Sequence, residues 1–213
     1  MLYSELQCSD AIHKAVERMG FAEMTEIQEK TIPVMMAGYD VIAKAPTGTG
    51  KTCAFGIPVA EHILPENKYP QAVIMAPTRE LAQQIAQELE ELTYFMPEVQ
   101  VACVYGGANM EKQAKRLAEG CQIVVATPGR LMDHYKHHSI DISHVTQIVL
   151  DEADEMLNMG FYKDVRHIIE MMKARKSLSM FSATISREVM DIGWMYQKDA
   201  EEITVQPKEE SQP

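Results

Sequence analysis

Seven short apolar runs, most of them β-branched, alternate with helical patterns along most of this chain, and that alternation leaves few folds open. The runs at 41–45, 72–76, 100–105, 123–126, 148–151, 179–182 and 202–205 read as strands. The stretches between them, at 51–64, 79–95, 110–119, 131–137, 161–174 and 187–196, carry helical periodicity. The strands are apolar nearly throughout instead of alternating, as a sheet covered by helices on both faces requires. Strand, crossover helix and strand in repetition give a parallel sheet with right-handed connections. The expectation is an α/β fold, a doubly wound and mostly parallel sheet, and 213 residues suffice to bury a core of that kind. Two amphipathic helices, near 9–19 and 26–36, precede the first strand, and the second opens on Thr25-x-x-Gln28, the pattern of a capping box. After Val205 the stretch QPKEESQP is polar with nothing to bury, so a disordered tail or linker is expected there.

Where the first strand gives way to a helix stands Ala45-Pro46-Thr47-Gly48-Thr49-Gly50-Lys51-Thr52, the phosphate-loop pattern with alanine in place of the leading glycine. Gly48 and Gly50 permit backbone angles that aim successive N–H groups at phosphate oxygens. The helix starting near Lys51 adds its positive N-terminal end. Lys51 is expected to reach the β- and γ-phosphates, and the Thr52 hydroxyl to ligate Mg²⁺. Asp151-Glu152-Ala153-Asp154 follows the apolar run QIVL, so Asp151 falls at a strand's carboxyl end, where a doubly wound sheet presents its ligand site. An Asp there can hold Mg²⁺ through water, and Glu152, beside the metal, can orient or deprotonate an attacking water. Taken alone, these four residues fit an acidic helix N-terminus equally well. Paired with Lys51, they read as a catalytic set.

Composition bounds the partners. The chain is 46% hydrophobic and 24% charged with a net charge of −11, which argues against gripping nucleic acid by bulk electrostatics. A local site stays open, because backbone N–H groups and helix N-termini hold phosphates without leaving a trace in a charge count. No apolar stretch approaches the roughly 18 to 20 residues of a membrane span. The opening MLYSELQCSD lacks the basic flank and apolar block of a signal peptide. Cys8, Cys53, Cys103 and Cys121 are scattered, with no Cys-x-x-Cys pair, so buried, reduced thiols in a cytoplasmic protein are expected. The run HYKHHS at 134–139 lacks acidic or Cys company and reads as a solvated helix end. The many methionines read as helix-core packing.

Four further signatures accompany the phosphate loop and the acidic tetrapeptide: PTRELA at 77–82, Gly106-Gly107, TPGR at 127–130 and Ser182-Ala183-Thr184. With these in order and spacing from Tyr3 to about Val205, the chain resembles the DEAD-box RNA helicases, specifically their first RecA-like domain. The resemblance implies ATP or ADP with Mg²⁺ at the loop of Ala45 to Thr52. It also implies Gln28 as the adenine-reading glutamine, Tyr3 as the family's upstream aromatic, and Phe21 as a further nucleotide contact. A glutamine amide offers the donor and acceptor that complement adenine N7 and its N6 amino group, and Tyr can pack beside a purine. Without the resemblance, a helical Gln reads as solvated. The family's prolines at this turn are replaced by Met24 and Glu26.

Thr78 and Thr127 look like helix caps after strands, with Pro128 in a first turn, and by sequence alone caps are all they need be. The resemblance adds that Pro77, Thr78, Arg79, Gly106, Gly107, Thr127, Pro128, Gly129 and Arg130 line up along a single strand's phosphates. Such contact reads RNA with little sequence preference. It further implies that the Ser182 and Thr184 hydroxyls bond to Asp154, coupling metal site to RNA side; a capped turn is the plain alternative.

The implied organisation is Q-motif helices at 1–31, an ATP-binding RecA-like domain at 32–205 and the start of an interdomain linker at 206–213. A second RecA-like domain, carrying the arginines that reach the γ-phosphate, is absent from the sequence. The parent protein is expected to be an RNA-stimulated ATPase that separates short duplexes, with single-stranded or locally duplex RNA and the second domain as partners. Residues 1–213 alone are expected to be monomeric, to bind nucleotide and to hydrolyse hardly at all. A small P-loop kinase, a DNA-directed motor and a non-catalytic nucleotide-gated adaptor are the competing readings. A kinase should carry an Arg-rich lid, which the sequence lacks, and intact Lys51, Asp151 and Glu152 speak against an adaptor.

Overall fold

The computed structural model describes residues 1–46 and 50–206; Thr47, Gly48, Thr49 and the stretch from 207 onward lie outside the described residues. Seven strands form one sheet: β1 (Val41–Lys44), β2 (Ala72–Met75), β3 (Val101–Val104), β4 (Ile123–Ala126), β5 (Gln147–Leu150), β6 (Ser177–Ser182) and β7 (Glu201–Thr204). Their order is β3-β4-β2-β5-β6-β1-β7, and every pairing is parallel. The sheet is thus parallel throughout, not just mostly so.

The helices are α1 (Asp10–Arg18), α2 (Glu26–Met36), α3 (Lys51–Glu61), α4 (Arg79–Leu92), α5 (Met110–Ala118), α6 (Pro128–Lys136), α7 (Ala153–Met156), α8 (Tyr162–Met171) and α9 (Arg187–Tyr196). Strand side chains alternate between two cores, as the two-residue period of a strand dictates. Ala72, Ile74 and Ala76 join one cluster with Ile12, Ile27, Phe55 and Leu89 from α1 to α4. Val73 and Met75 point the other way, toward Leu117, Leu131, Met156, Val165 and Val189 from α5 to α9. The first four helices therefore cover one face and the last five the other. With both faces covered, β2, β4 and β5 are buried at every position, which is why they read as unbroken apolar runs.

The expected boundary at 31/32 does not divide the structure. α2 runs unbroken across it, with Ile27, Ile32 and Met35 in a single core. The capping box at its start is formed in full: Gln28 N donates to Thr25 Oγ1 at 3.4 Å and Thr25 N to Gln28 Oε1 at 3.0 Å. Two segments had no strong periodicity to announce them: α7, and a π-type turn at Leu157–Phe161 broken by Gly160 at φ +91°. Among the described residues, no helix is long and apolar enough to cross a membrane. All four cysteines are free, Cys53 and Cys121 buried, Cys8 and Cys103 half-buried. Burial pushes the Cys53 and Cys103 thiols up to about 12, so they stay protonated and inert near neutral pH.

The register matters most for function. Val104 pairs with Ala126, Ala126 with Met75, and Met75 with Leu150, so four strands end level at their carboxyl ends. β6 runs two residues past Met180, the partner of Leu150, to Ser182, which pairs with Lys44 of β1. Every signature loop issues from this row.

Candidate functional site

Strand order divides that row into two halves. The loops after β1, β5 and β6, three neighbours, carry the phosphate loop, Asp151-Glu152 and Ser182-Thr184. The loops after β3, β4 and β2, also neighbours, carry Gly106-Gly107, Thr127–Arg130 and Pro77–Arg79. Adjacent strands lie ~4.8 Å apart, so each half gathers its residues into a compact patch.

In the first half, Lys51 opens α3 and is buried, with Nζ 3.3 Å from Asp151 Oδ1. Asp151, 1% exposed, is pushed up by burial, and the Lys51 ammonium opposes that rise. Glu152 follows at φ +49°, ψ +51°, the left-handed region that costs a non-glycine residue roughly 1 kcal/mol or more. Its carboxyl is pushed up to about 7, by burial first and then by a hydrogen bond shared with Glu155. Thr52 hydrogen-bonds to Glu88 of α4, whose carboxyl burial raises and which also feels the Asp151 charge. Glu88 was missed in the sequence because an acidic residue within QELEEL reads as one more solvated helix position.

Among the described residues no three His, Cys, Asp or Glu groups converge as a metal cage. One buried carboxylate, a neighbouring Glu and a threonine hydroxyl instead suit Mg²⁺, which keeps several waters and shares phosphate oxygens. The last glycine of the loop packs tightly against the start of α2. Gly50 adopts φ +79°, and a Cβ there would lie 2.6 Å from Gln28 Nε2 and 3.1 Å from Thr25 Oγ1. Gly50→Ala is expected to lower stability by about 2 kcal/mol, read as a lower urea midpoint, through strain and the displaced Gln28 amide. An unchanged midpoint would contradict this packing.

On the adenine side the three expected residues differ in exposure. Tyr3, expected beside the purine, is 3% exposed and lies in the core, with its hydroxyl donated to Gln28 Oε1. Phe21, 44% exposed and with its ring centroid 6.4 Å from that of Tyr3, is the aromatic at the surface. Gln28 is 4% exposed: its Oε1 accepts from both Tyr3 and Thr25 N, and its Nε2 donates to Gly50 O at 3.1 Å. Both lone pairs of that oxygen are occupied, and one amide N–H is left to contact a base. Gln28 thus ties the N-terminal segment to the last glycine of the loop. Of the loop itself, Ala45 extends β1 by donating to Ser182 O at 3.0 Å, and Pro46 follows it. The expectations at Thr47, Gly48 and Thr49 fall outside the described residues.

Asp154 ties the loop after β5 to the loop after β6. Its Oδ2 accepts from Thr184 N at 3.1 Å and Thr184 Oγ1 at 2.8 Å, while its own N–H donates to Ser182 Oγ at 3.1 Å. Ser182 Oγ in turn donates to Thr184 O at 2.6 Å. Burial pushes the Asp154 carboxyl up, but these bonds outweigh it and hold the group below the usual range.

In the second half, Pro77 is buried, Thr78 caps α4 by accepting from Leu81 N at 3.2 Å, and Arg79 projects from the first helical position. The Arg79 guanidinium lies 4.8 Å from the Tyr105 ring centroid, just before exposed Gly106 and Gly107, the latter at φ +85°. Pro128 holds the first position of α6, but Thr127 makes no side-chain cap, contrary to expectation: its backbone N–H goes to Val104 O at 3.1 Å. Gly129 and Arg130 are half-buried, and Arg130 Nη1 donates to Ala108 O at 3.0 Å. The histidine run is likewise corrected in part: His137 and His138 are exposed, whereas His134 is fully buried.

The DEAD/DEAH box helicase family profile matches residues 25–192. Curated relatives include ATP-dependent RNA helicase CshA of Limosilactobacillus reuteri, 47% identical across 98% of this chain and 42% of that protein. ATP-dependent RNA helicase DeaD of Mycobacterium tuberculosis is 40% identical across 97% of this chain and 37% of its own length. The crystal structure of a DEAD box protein from Methanococcus jannaschii superposes with a TM-score of 0.90 at 40% identity, covering 97% of this chain and 56% of that one. The chain belongs to the DEAD/DEAH box helicase family. It spans less than half the length of these curated relatives.

Proposed function

We propose that this chain is the first motor half of a DEAD-box RNA helicase, binding Mg-ATP at the loops after β1, β5 and β6 and a single RNA strand at those after β3, β4 and β2. The observation that carries the reading is the sheet order itself. It brings Lys51 after β1 to a buried pair with Asp151 after β5, with Glu152 beside it, and sets helix N-termini and two arginines at the ends of the next three strands; that supports the reading.

Lys51 binds the β- and γ-phosphates, Gly50 lets the backbone approach them, and Thr52 and Asp151 hold Mg²⁺ with Glu152 beside it. The metal supplies neutralisation of charge on the phosphate oxygens. Glu152 orients a water and takes its proton as the water oxygen bonds to the γ-phosphorus; the bond to the bridging oxygen breaks and ADP departs. Phe21 stacks on the base and the remaining N–H of Gln28 reads it. The Asp154–Thr184 bonds carry the nucleotide state toward the RNA side, so that hydrolysis is coupled to local duplex separation.

The protein that contains this chain is then an ATPase stimulated by RNA. Turnover measured with single-stranded RNA and with DNA of the same sequence should rise with RNA only. Equal stimulation by DNA, or none by either, would overturn the reading.

A further inference from the structure

Gln113, on α5 and 8% exposed, sits where three elements of the proposed RNA face meet. Its Nε2 donates to Tyr105 O at 3.0 Å, at the strand end that precedes Gly106-Gly107. Its Oε1 accepts from Arg130 Nη1 at 3.1 Å and bonds to His134 Nε2 at 2.9 Å.

The chemistry fixes every orientation in this cluster. Arginine only donates, so the atom facing it must be the amide oxygen, which leaves the NH₂ for Tyr105. An oxygen already facing Arg130 can only accept from His134, so Nε2 of that imidazole carries a proton. Its buried Nδ1 has no partner among the described residues. Burial, reinforced by the Arg130 charge, lowers the His134 pKa and keeps the ring neutral.

The consequence falls on the two arginines. Arg130 Nη1 spends its hydrogens on Ala108 O and Gln113 Oε1, and Nε lies 3.7 Å from Asp133 Oδ2. Nη2 has no hydrogen bond among the described residues, so the direction in which this donor points is set by what Nη1 is tied to. Tyr105, held through its carbonyl, presents the ring over which Arg79 lies, and Gln83 Nε2 steadies its hydroxyl at 3.0 Å.

We infer that Gln113 is a positioning residue for RNA: its carboxamide, locked by His134, aims Arg130 directly and Arg79 through Tyr105. The inference rests on the RNA-face reading above. It touches no nucleotide group, so its removal should act on RNA alone.

The test is a double-mutant cycle in the full-length protein, with single-stranded RNA affinity read by anisotropy at fixed salt. Gln113→Leu should weaken RNA binding about tenfold, the loss usual for a hydrogen bond to a charged partner. The KM for RNA should rise by a similar factor while kcat and ATP affinity stay put. Arg130→Ala should weaken RNA at least as much, and adding Gln113→Leu to it should cost clearly less than the tenfold seen in the parent, the remainder acting through Tyr105 and Arg79. If Gln113→Leu does not fold, Gln113→Asn serves: its amide is one methylene too short to span Tyr105 and Arg130, and the same loss is expected. RNA affinity within twofold of the parent, or losses that multiply in the double variant, would overturn the inference. Should Arg130→Ala itself leave RNA binding unchanged, the RNA-face reading fails and this inference with it.

Discussion

Glu152→Gln in the full-length protein should lower RNA-stimulated turnover by about 10²–10⁴-fold, the usual worth of a positioned general base. The replacement keeps shape, hydrogen-bonding reach and left-handed backbone, and removes only the capacity to take a proton. Nucleotide affinity should therefore stay within about threefold, because the phosphate contacts lie with Lys51 and the loop. Stability should hold or rise slightly, since Glu152 and Glu155 share a hydrogen bond that two carboxylates can make only by retaining a proton. Phosphate release and a thermal melt check both halves of the prediction. Normal turnover in the variant would make the site a nucleotide-gated adaptor and not an engine.

A comparably large effect is expected from subtraction. Residues 1–213 alone should bind ATP yet hydrolyse it about 10³–10⁵-fold more slowly than a protein that supplies an arginine to the γ-phosphate from a second RecA-like domain. The arginines of this chain that belong to its signatures are committed elsewhere: Arg79 lies over Tyr105 and Arg130 bonds to Ala108. Adding RNA should not restore the rate, because the deficit lies in charge stabilisation at the phosphate. Single-turnover measurements with and without RNA test this, and brisk RNA-stimulated turnover by the isolated chain would contradict it.

Much of the arrangement was legible in the residues. A strand-to-helix glycine turn with Lys-Thr, and acids after an apolar strand, are local patterns tied to strand ends. Once the sheet is parallel, all strand ends share one edge. What the residues could not disclose was neighbourhood. Nothing in the chain says that β2 lies between β4 and β5, yet that placement is what separates the two halves of the site. Burial misled at Tyr3 and His134 for a related reason. Tyr3 is satisfied by a buried glutamine and His134 by another, partners 25 and 21 residues away that no local window contains. Glu152 adopts a backbone conformation that propensity disfavours, and the short helix after it follows from that turn, so neither had a periodic signal. Thr127 carries the residue type of a cap but leaves its hydroxyl uncommitted to α6, which composition alone cannot distinguish.

The Lys51 ammonium and the Asp151 carboxylate, 3.3 Å apart, must share one magnesium-bound triphosphate with the loop that leads into α3. Calorimetric titration of ATP into the chain, with Mg²⁺ and with the metal chelated, for the native protein and for Lys51→Ala, tests this most directly. One-to-one binding is expected, dependent on Mg²⁺ and at least about a hundredfold weaker in the variant, since losing Lys51 removes a phosphate contact and leaves a buried carboxylate unpaired. Binding that ignores both the metal and the lysine would contradict it.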